Sequence, residues 1–488
     1  MAKQPANIKC ITLAALLLFS MSCSLVARVP TTPTVTIVPN LAPSETTAPT
    51  AAATATLLPT VSPTIYLTPT GVGMAPLYVP PLCQGKPVAT ISPTLAARQP
   101  TPGLQANPPI SKDEQIKVFE ALVARITEVY LYPDFNGLDW PGLVAQYRAK
   151  VQTGLDSETF YTEMEKFVFA LNDEHSNFES PVMVAKANIE LSGVTDFVGV
   201  GARVNPVGNL ARASILAVFP DSPAEHSGMK PHDSILLVDG LPIVEKGIVH
   251  TERVRGPECS AVVLIIQSPG GQPRQVLLIR FRITTALPIN AQLVATSDGS
   301  RIGYIFLPTF YDDTIPGQVK QALEEFGTLD ALILDNRMNS GGASNVMETI
   351  LSYFTSGTLG NFVSRKSTRP FTITANPVNN SQTVPLVVLA GPDTASFGEI
   401  FSGILQDQGR AKIVGQTTMG NVERLHGYSF KDGSRAWIAE ERFDPIHSHA
   451  IWEKNGVKPD VVAYADWDTF TFENDPSMVA ALKLLGHS

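Results

Sequence analysis

The chain has 488 residues, 44% of them hydrophobic, which is enough to bury the cores of more than one folded unit. Its formal net charge is −9, and it contains no long basic block. This charge balance argues against nucleic acid as the main partner.

Residues 1–23 predict a secretory signal peptide. Lysines precede a short apolar run, Ile11 to Phe19, and small residues follow it. The run is too short to span a bilayer as a mature helix. Cys23 lies in a segment that resembles a bacterial lipobox, although Ser20 and Met21 match imperfectly. We therefore expect a lipid at Cys23 and a location on the outer face of a bacterial cell membrane; ordinary cleavage and an uncleaved anchor are the alternatives.

Residues 24–107 predict a disordered tether. Between Val29 and Gly85 the chain has no Lys or Arg, a single acid, Glu45, and repeated Thr, Pro and Ala. Such a composition cannot bury enough apolar surface to fold. The tether would hold the ordered part of the chain away from the membrane. A cleaved or inert tail is the alternative.

Four cysteines are present, of which Cys10 falls in the signal peptide and Cys23 is the lipidation candidate. Cys83 and Cys259 remain. In an oxidising compartment these two can form a disulfide, which would tie the end of the tether to the second ordered region. The alternative is two free thiols.

Residues 108–187 predict a small helical domain. Apolar residues recur at helical spacing from Val118 to Val129 and again from Phe160 to Leu171. The second helix ends in a polar cluster that contains His175. A histidine at a helix end is either a surface group stabilised by the helix dipole or a catalytic base.

Residues 188–284 resemble the PDZ domains that secreted processing proteases carry. The resemblance rests on Phe197, Val198, Gly199, Val200 and Gly201, followed by the blocks 222–229 and 233–240. The two glycines would let backbone amides approach the carboxylate of a peptide that adds as a strand. A structural hairpin is the alternative. A dinucleotide loop is excluded because the third glycine and the following helix are missing.

Residues 285–488 predict an α/β layer of alternating strands and helices. One predicted strand, Leu332 to Leu334, runs towards Gly341 and Gly342. Paired glycines at a strand end form either a simple turn or a loop that aims amides into a cleft, as an oxyanion hole requires.

Ser396 lies where a buried strand, Val384 to Ala390, gives way to a helical pattern that begins near Ile400. A hydroxyl at this position faces the positive end of a helix, which suits a nucleophile. Ser396 with Glu399 three residues later also fits a capping box. The segment alone favours capping.

The motifs described above follow one another along the chain and end with the segment Val414 to Gly420. This ordered set resembles the C-terminal processing peptidases, or tail-specific proteases, over about residues 111 to 465. These are serine peptidases with a crotonase-like (ClpP/crotonase) α/β core. The resemblance implies that Ser396 attacks the scissile carbonyl. It also implies that the amides of Phe397 and of Gly341 or Gly342 hold the oxyanion of an acyl transfer.

The chain departs from the family's pattern at the general base. Most bacterial members have a lysine directly after the glycine that ends the last motif, here Gly420, but this chain has Asn421. Lys412 precedes the motif and does not match the base. The resemblance to tricorn-type members, which use Ser, His and Glu, points to His175 instead, because an imidazole accepts a proton near neutral pH.

Glu453 falls near the place of that subgroup's glutamate, and it is the predicted acid that orients His175. Glu423 is the runner-up, and a surface carboxylate is the alternative for both. We therefore expect a serine endopeptidase that acts on extracytoplasmic proteins and whose PDZ domain captures substrate C-termini. No metal or cofactor is expected. The second hypothesis is a noncatalytic peptide-binding scaffold that has lost its base.

Overall fold

The computed structural model describes residues 77–86, 106–173, 175–191, 197–206, 211–245 and 247–487. The predicted signal peptide, Cys23 and most of the predicted tether lie outside the described residues. Within these ranges, no helix is both long and apolar enough to cross a membrane.

The first ordered region is helical. Its first helix begins with a capping box in which Ser111 and Glu114 satisfy each other's backbone amides, and it buries one face that includes Leu122 and Ile126. The elements of this region are α1 (Lys112–Val129), α2 (Trp140–Val151), α3 (Ser157–Phe169), β1 (Asn177–Glu179) and α4 (Pro181–Leu191).

The helices do not form a core by themselves. The apolar faces of α1, α2 and α3 enclose Ala436, Ile438 and Ala439, which belong to a strand near the other end of the chain. Residues from both ends of the sequence therefore share one core.

The second region is a β-structure. Its main sheet has the strand order β10-β9-β5-β4-β3, with β6 paired to β5; β2 pairs with β11 and β7 with β8. Apolar side chains from alternate positions of these strands fill its interior. Its elements are β2 (Phe197–Gly199), β3 (Ala202–Pro206), β4 (Ala213–Val218), α5 (Pro223–His226), β5 (Ser234–Val238), β6 (Leu241–Pro242), β7 (Val244–Glu245), β8 (Ile248–Val249), β9 (Ala261–Gln267), β10 (Arg274–Ile279) and β11 (Phe281–Ile283).

The third region is built on a six-stranded sheet of order β12-β13-β14-β17-β18-β21, in which only β12 is antiparallel to its neighbour. Strands such as β14 and β17 are buried throughout, because apolar layers cover both faces of the sheet. The elements as far as the serine helix are β12 (Ala291–Val294), β13 (Ile302–Phe306), α6 (Ile315–Phe326), β14 (Ala331–Asp335), α7 (Ser344–Phe354), β15 (Gly357–Val363), β16 (Thr368–Ile373), β17 (Leu386–Ala390) and α8 (Phe397–Asp407).

A second sheet, of order β1-β20-β15-β16 with β19 on β20, joins the helical region to this layer. Its strand β1 follows His175, and its strand β19 follows Glu423. The remaining elements are β18 (Lys412–Gly415), β19 (Arg424–Ser429), β20 (Arg435–Pro445), β21 (Val461–Val462) and α9 (Pro476–Leu484).

A disulfide joins Cys83 to Cys259, with a Cα–Cα distance of 5.3 Å. The sequence left open whether these cysteines pair or remain two free thiols, and the structure has the pairing. The bridge fixes the segment 77–86 against the β-structure, where Tyr78 also stacks on His226 with ring centroids 3.7 Å apart. Both cysteines are buried beside Ile279.

Candidate active site

Ser396 lies on a sharp turn between strand β17 and helix α8, as the sequence predicts. Its backbone has φ 52° and ψ −126°, which a residue with a side chain rarely adopts. The capping arrangement with Glu399 is also present: the Ser396 amide donates to the Glu399 carboxylate at 3.2 Å. A strained serine between a strand and a helix is the geometry that exposes a nucleophile in other hydrolases.

Two glycines let the neighbouring turn approach Ser396 closely. A Cβ on Gly341 would lie 2.8 Å from the Ser396 Cβ and 3.0 Å from the Phe397 nitrogen. A Cβ on Gly398 would lie 2.4 Å from the Asn339 carbonyl oxygen. The turn at 339–342 and the start of α8 are therefore in direct contact.

The amides of this contact define a place for an oxyanion. The Gly341 amide donates to Asn339 Oδ1 at 2.9 Å, so it is already used. The amides of Gly342 and Phe397 donate to no acceptor within the described residues. Of the two glycines predicted from the sequence, Gly342 has the available donor, and Phe397 supplies a second at the helix N-terminus.

Arg337 anchors the strand end from which this turn departs. Its guanidinium contacts Asp335 Oδ2 and Asp475 Oδ2, each at 2.6 Å, and all three side chains are buried. Buried charges that are paired on both sides of a guanidinium hold a loop in one arrangement. The sequence analysis did not identify this cluster, although an acid and an arginine directly after a buried strand are an available signal.

Glu399 ties the segment Val414 to Gly420 to the serine. Its fully buried carboxylate accepts hydrogen bonds from the Gly420 amide (2.7 Å), the Asn421 amide (2.8 Å) and the Thr418 hydroxyl. Burial raises its pKa above the ordinary value, against the hydrogen bonds, which lower it. Glu399 thus fixes the loop in which the lysine of most relatives would lie.

Asn421 occupies that position and is buried. Its carbonyl accepts the Ser396 amide at 2.8 Å, and its side-chain oxygen has no hydrogen-bond partner among the described residues. Lys412 is exposed and pairs with Asp460 at 2.9 Å. Its ammonium group is therefore engaged at the surface.

His175 is held in a loop that Asp173 organises. Asp173 accepts the amides of His175 (3.0 Å) and Ser176 (2.7 Å), and the Ser176 hydroxyl in turn accepts the Ala439 amide of β20 at 3.0 Å. The imidazole is mostly buried, with 12% of its side chain exposed. Its Nδ1 lies 3.0 Å from Glu423 Oε2.

Glu423 is therefore the carboxylate that contacts the histidine. Its side chain is fully buried, and its second oxygen accepts the Tyr132 hydroxyl at 2.7 Å. Burial raises the pKa of Glu423, but hydrogen bonds from His175, Glu453 and Tyr132 outweigh it and hold the pKa below the ordinary value.

The expectation that Glu453 orients His175 directly does not match this geometry. Glu453 instead accepts the Val422 amide at 2.9 Å and hydrogen-bonds to the Glu423 carboxyl. Strand β19 begins one residue after Glu423. Glu423, the alternative acid in the sequence prediction, is the one that faces the imidazole. Glu423 is 248 residues from His175, so sequence distance alone does not show that it is the acid that faces the imidazole.

A short chain connection links the serine to the carboxylate that contacts the histidine. Ser396 is bonded through its amide to Asn421, and Glu423, which holds His175, follows two residues later. Tyr132 joins the same cluster from the helical region. No periodicity or motif in the sequence identifies Tyr132.

The predicted peptide-binding residues lie at the edge of the β-structure. Phe197, Val198 and Gly199 form β2, and the Phe197 ring packs on Phe219 with centroids 5.9 Å apart. Gly201 has φ +82°, and a Cβ there would lie 2.2 Å from the Ser222 Cβ. Local packing therefore requires this glycine whether or not a peptide binds, and Val200 is buried in the core.

The chain resembles known peptidases over most of its length. The family described as "Peptidase family S41" matches residues 301–463. The carboxyl-terminal-processing protease of Synechocystis sp. is 30% identical over 367 residues, which cover 74% of this chain and 84% of that protein. That of Picosynechococcus sp. is 28% identical over 382 residues, which cover 76% of this chain and 89% of that protein.

A solved structure of the photosystem II D1 C-terminal processing protease gives a TM-score of 0.52 at 25% identity, covering 71% of this chain and 92% of that one. The mixed α/β fold is thus similar to that of the C-terminal processing proteases, and the resemblance inferred from the sequence is confirmed. The chain belongs to peptidase family S41 and is a serine-type peptidase.

Proposed function

We propose that the chain is an endopeptidase of the C-terminal processing type that uses Ser396, His175 and Glu423. The observation that carries this proposal is the buried 3.0 Å contact between His175 Nδ1 and Glu423, in a chain that has Asn421 where the family resemblance implies a lysine base. The Glu423 carboxylate accepts the Nδ1 proton and leaves Nε2 as the basic nitrogen.

In the proposed reaction the Ser396 hydroxyl adds to the scissile carbonyl carbon while His175 Nε2 takes its proton. The amides of Gly342 and Phe397 bind the oxyanion, at the positive end of helix α8. Collapse of this intermediate breaks the C–N bond, and the imidazolium gives its proton to the departing amine. Water, deprotonated by the same imidazole, then cleaves the acyl-enzyme ester and regenerates Ser396.

We also propose that the third region is a crotonase-like core and that the β-structure is a PDZ-type domain that captures the free C-terminus of a substrate. Support comes from the edge strand β3, which among the described residues pairs with one strand, β4. An extended peptide can add to such an edge. The segment Phe197 to Gly201, which consists of strand β2 and the next two residues, directly precedes β3 and would face the terminal carboxylate.

The proposed location is extracytoplasmic, with a lipid anchor at Cys23. The Cys83–Cys259 disulfide supports this location, because such bridges persist in oxidising compartments. The expected substrates are therefore extracytoplasmic proteins with free C-termini.

The test is cleavage of unfolded casein by the full chain in detergent, together with a fluorogenic acylating probe and mass mapping. Ser396→Ala and His175→Gln should each abolish cleavage, and the probe should label Ser396. His449→Gln is the matched control, because this histidine is exposed, with 67% of its side chain accessible. Full activity of His175→Gln would refute the choice of base.

Asn421 also favours a second candidate, a peptide-binding scaffold without activity. An amide cannot take a proton at neutral pH. If the wild-type chain cleaves nothing and leaves the probe unreacted, yet binds peptides with free C-termini, the scaffold function is correct.

A further inference from the structure

Glu423 contacts two groups that the proposed reaction does not use, Tyr132 and Glu453. The Tyr132 hydroxyl donates to Glu423 Oε1 at 2.7 Å, while Oε2 faces His175 at 3.0 Å. The Glu453 carboxyl forms the third contact and is itself fixed by the Val422 amide at 2.9 Å. The carboxylate thus has neighbours from a helical-region loop, from the histidine loop and from the loop before β21.

We propose that Glu453 and Tyr132 are positioning residues that act through Glu423, and that the Glu423–Glu453 pair shares one proton. This inference rests on the proposed serine peptidase function and deepens it. It separates the two predicted acids by role: Glu423 meets the histidine as a carboxylate, and Glu453 meets Glu423 as a neutral acid.

The hydrogen bond between the two carboxyls requires that proton. An ionised carboxylate has only acceptors, so one of a bonded pair must carry hydrogen. Glu423 is the one already surrounded by donors, Tyr132 and His175, which favour its charged form. Glu453 is left with the proton, and its pKa is raised by burial and by the adjacent Glu423 charge.

The charge balance suits a chain without a catalytic lysine. When His175 takes the serine proton, the imidazolium faces a buried pair with a single negative charge. A second charge on Glu453 would leave two carboxylates without a second cation beside them. A neutral Glu453 instead donates to Glu423, and Tyr132 donates to Glu423 Oε1, so both contacts hold the carboxylate against the imidazole.

Loss of the shared proton should therefore limit activity at high pH. Four ionisable groups interact with Glu423, Glu453 or Tyr132; they are His175, Glu399, Asp173 and Tyr130. None of these gains a positive charge as the pH rises. Ionisation of Glu453 would thus add repulsion that nothing nearby offsets.

The experiment measures kcat and KM for casein-derived peptides between pH 5 and pH 10, with the full chain in detergent. Glu453→Gln keeps a donor to Glu423 and an acceptor for Val422 but cannot ionise. It should keep activity at pH 7 within about threefold and lose the alkaline fall of the wild type. Glu453→Ala and Tyr132→Phe should lower kcat by about ten- to a hundredfold, as for one hydrogen bond to a buried charge, with KM unchanged.

Glu324→Gln, on the exposed surface of α6, is the control and should match the wild type throughout. A Glu453→Gln enzyme with the same alkaline fall as the wild type would overturn the shared proton. So would full kcat in both Glu453→Ala and Tyr132→Phe.

A second measurement does not depend on activity. In the chain labelled with ¹³C at glutamate carboxyls, one carboxyl resonance should stay protonated at pH 7 and vanish in Glu453→Gln. If all glutamates of the wild type ionise below pH 6, the proposal is wrong even in an active enzyme. If the protonated resonance is present but casein is not cleaved, the proton pair stands and the peptidase function fails.

Discussion

Replacing Gly341 by alanine should separate the stability of this fold from its activity. Gly341 has φ +94°, and an added Cβ would lie 2.8 Å from the Ser396 Cβ. Gly357 has nearly the same backbone, φ +97°, but a Cβ there would meet no atom within 4 Å. Gly357→Ala is therefore a control that carries the backbone cost without the contact.

The backbone cost of alanine at such a φ is about 1–2 kcal/mol for either variant. Only Gly341→Ala must also move Ser396 away, by about half an ångström, to restore ordinary van der Waals contact. Misplacement of a reacting group by about 1 Å can cost a hundredfold in rate. We therefore expect kcat to fall by about ten- to a hundredfold in Gly341→Ala and to stay unchanged in Gly357→Ala.

The assay combines denaturant unfolding of both variants with kcat and KM for casein cleavage. Both should lose similar stability, with somewhat more lost in Gly341→Ala. If the two variants are equally active, the close approach of the glycine turn to Ser396 has no part in catalysis and the placement of the oxyanion hole is refuted.

Three further outcomes are expected. Glu423→Gln should lower kcat by about 10³–10⁴-fold with little change in KM, because the imidazole loses its carboxylate. Because the pKa of Glu423 is lower in the folded chain, its charge should stabilise the wild type above about pH 4.3, and this stabilisation should be lost as the pH falls towards the folded pKa. Unfolding curves of the wild type and of Glu423→Gln at several pH values would show the difference. Reduction of Cys83–Cys259, or the double change to serine, should lower stability by up to about 5 kcal/mol by chain entropy, and an unchanged melting temperature would contradict this. Burial lowers the pKa of His232, so the folded chain resists protonation of this imidazole. The free energy of unfolding should therefore fall by up to about 1.4 kcal/mol per pH unit below about pH 6.5. His232→Gln should remove this pH dependence, and melting temperatures at pH 7.5 and 5.5 would test it.

The local chemistry of the site was readable from the sequence, and its long-range pairings were not. The turn at Ser396 follows from a strand, a break and a helix pattern, and the structure has it there. Whether Glu423 or Glu453 contacts His175 depends on how strand β19 and the loop that contains Glu453 pack together. The spacing of residues along the sequence does not reveal this packing. Tyr132 is 291 residues from its partner Glu423, so it too had no signal.

The glycines illustrate a different limit. Gly199 and Gly201 were interpreted through peptide binding, but the space at Gly201 is taken by Ser222 of the same domain. The family resemblance implies an oxyanion donor at Gly341 or Gly342, and the Gly341 amide donates to Asn339 instead. A glycine in a sequence indicates that the backbone closely approaches another group, but it does not identify that group.

The core that α1, α2 and α3 share with Ala436, Ile438 and Ala439 has a consequence for biogenesis. Helices α1 to α3 and His175 are made before the second half of the chain. Strand β20, which completes the core of these helices, and Glu423, which contacts the imidazole, lie within the last 66 residues. A chain made N-terminus first therefore has a histidine without its acid until nearly the whole polypeptide has been synthesised. Activity of the proposed peptidase should therefore begin only when the chain is nearly complete.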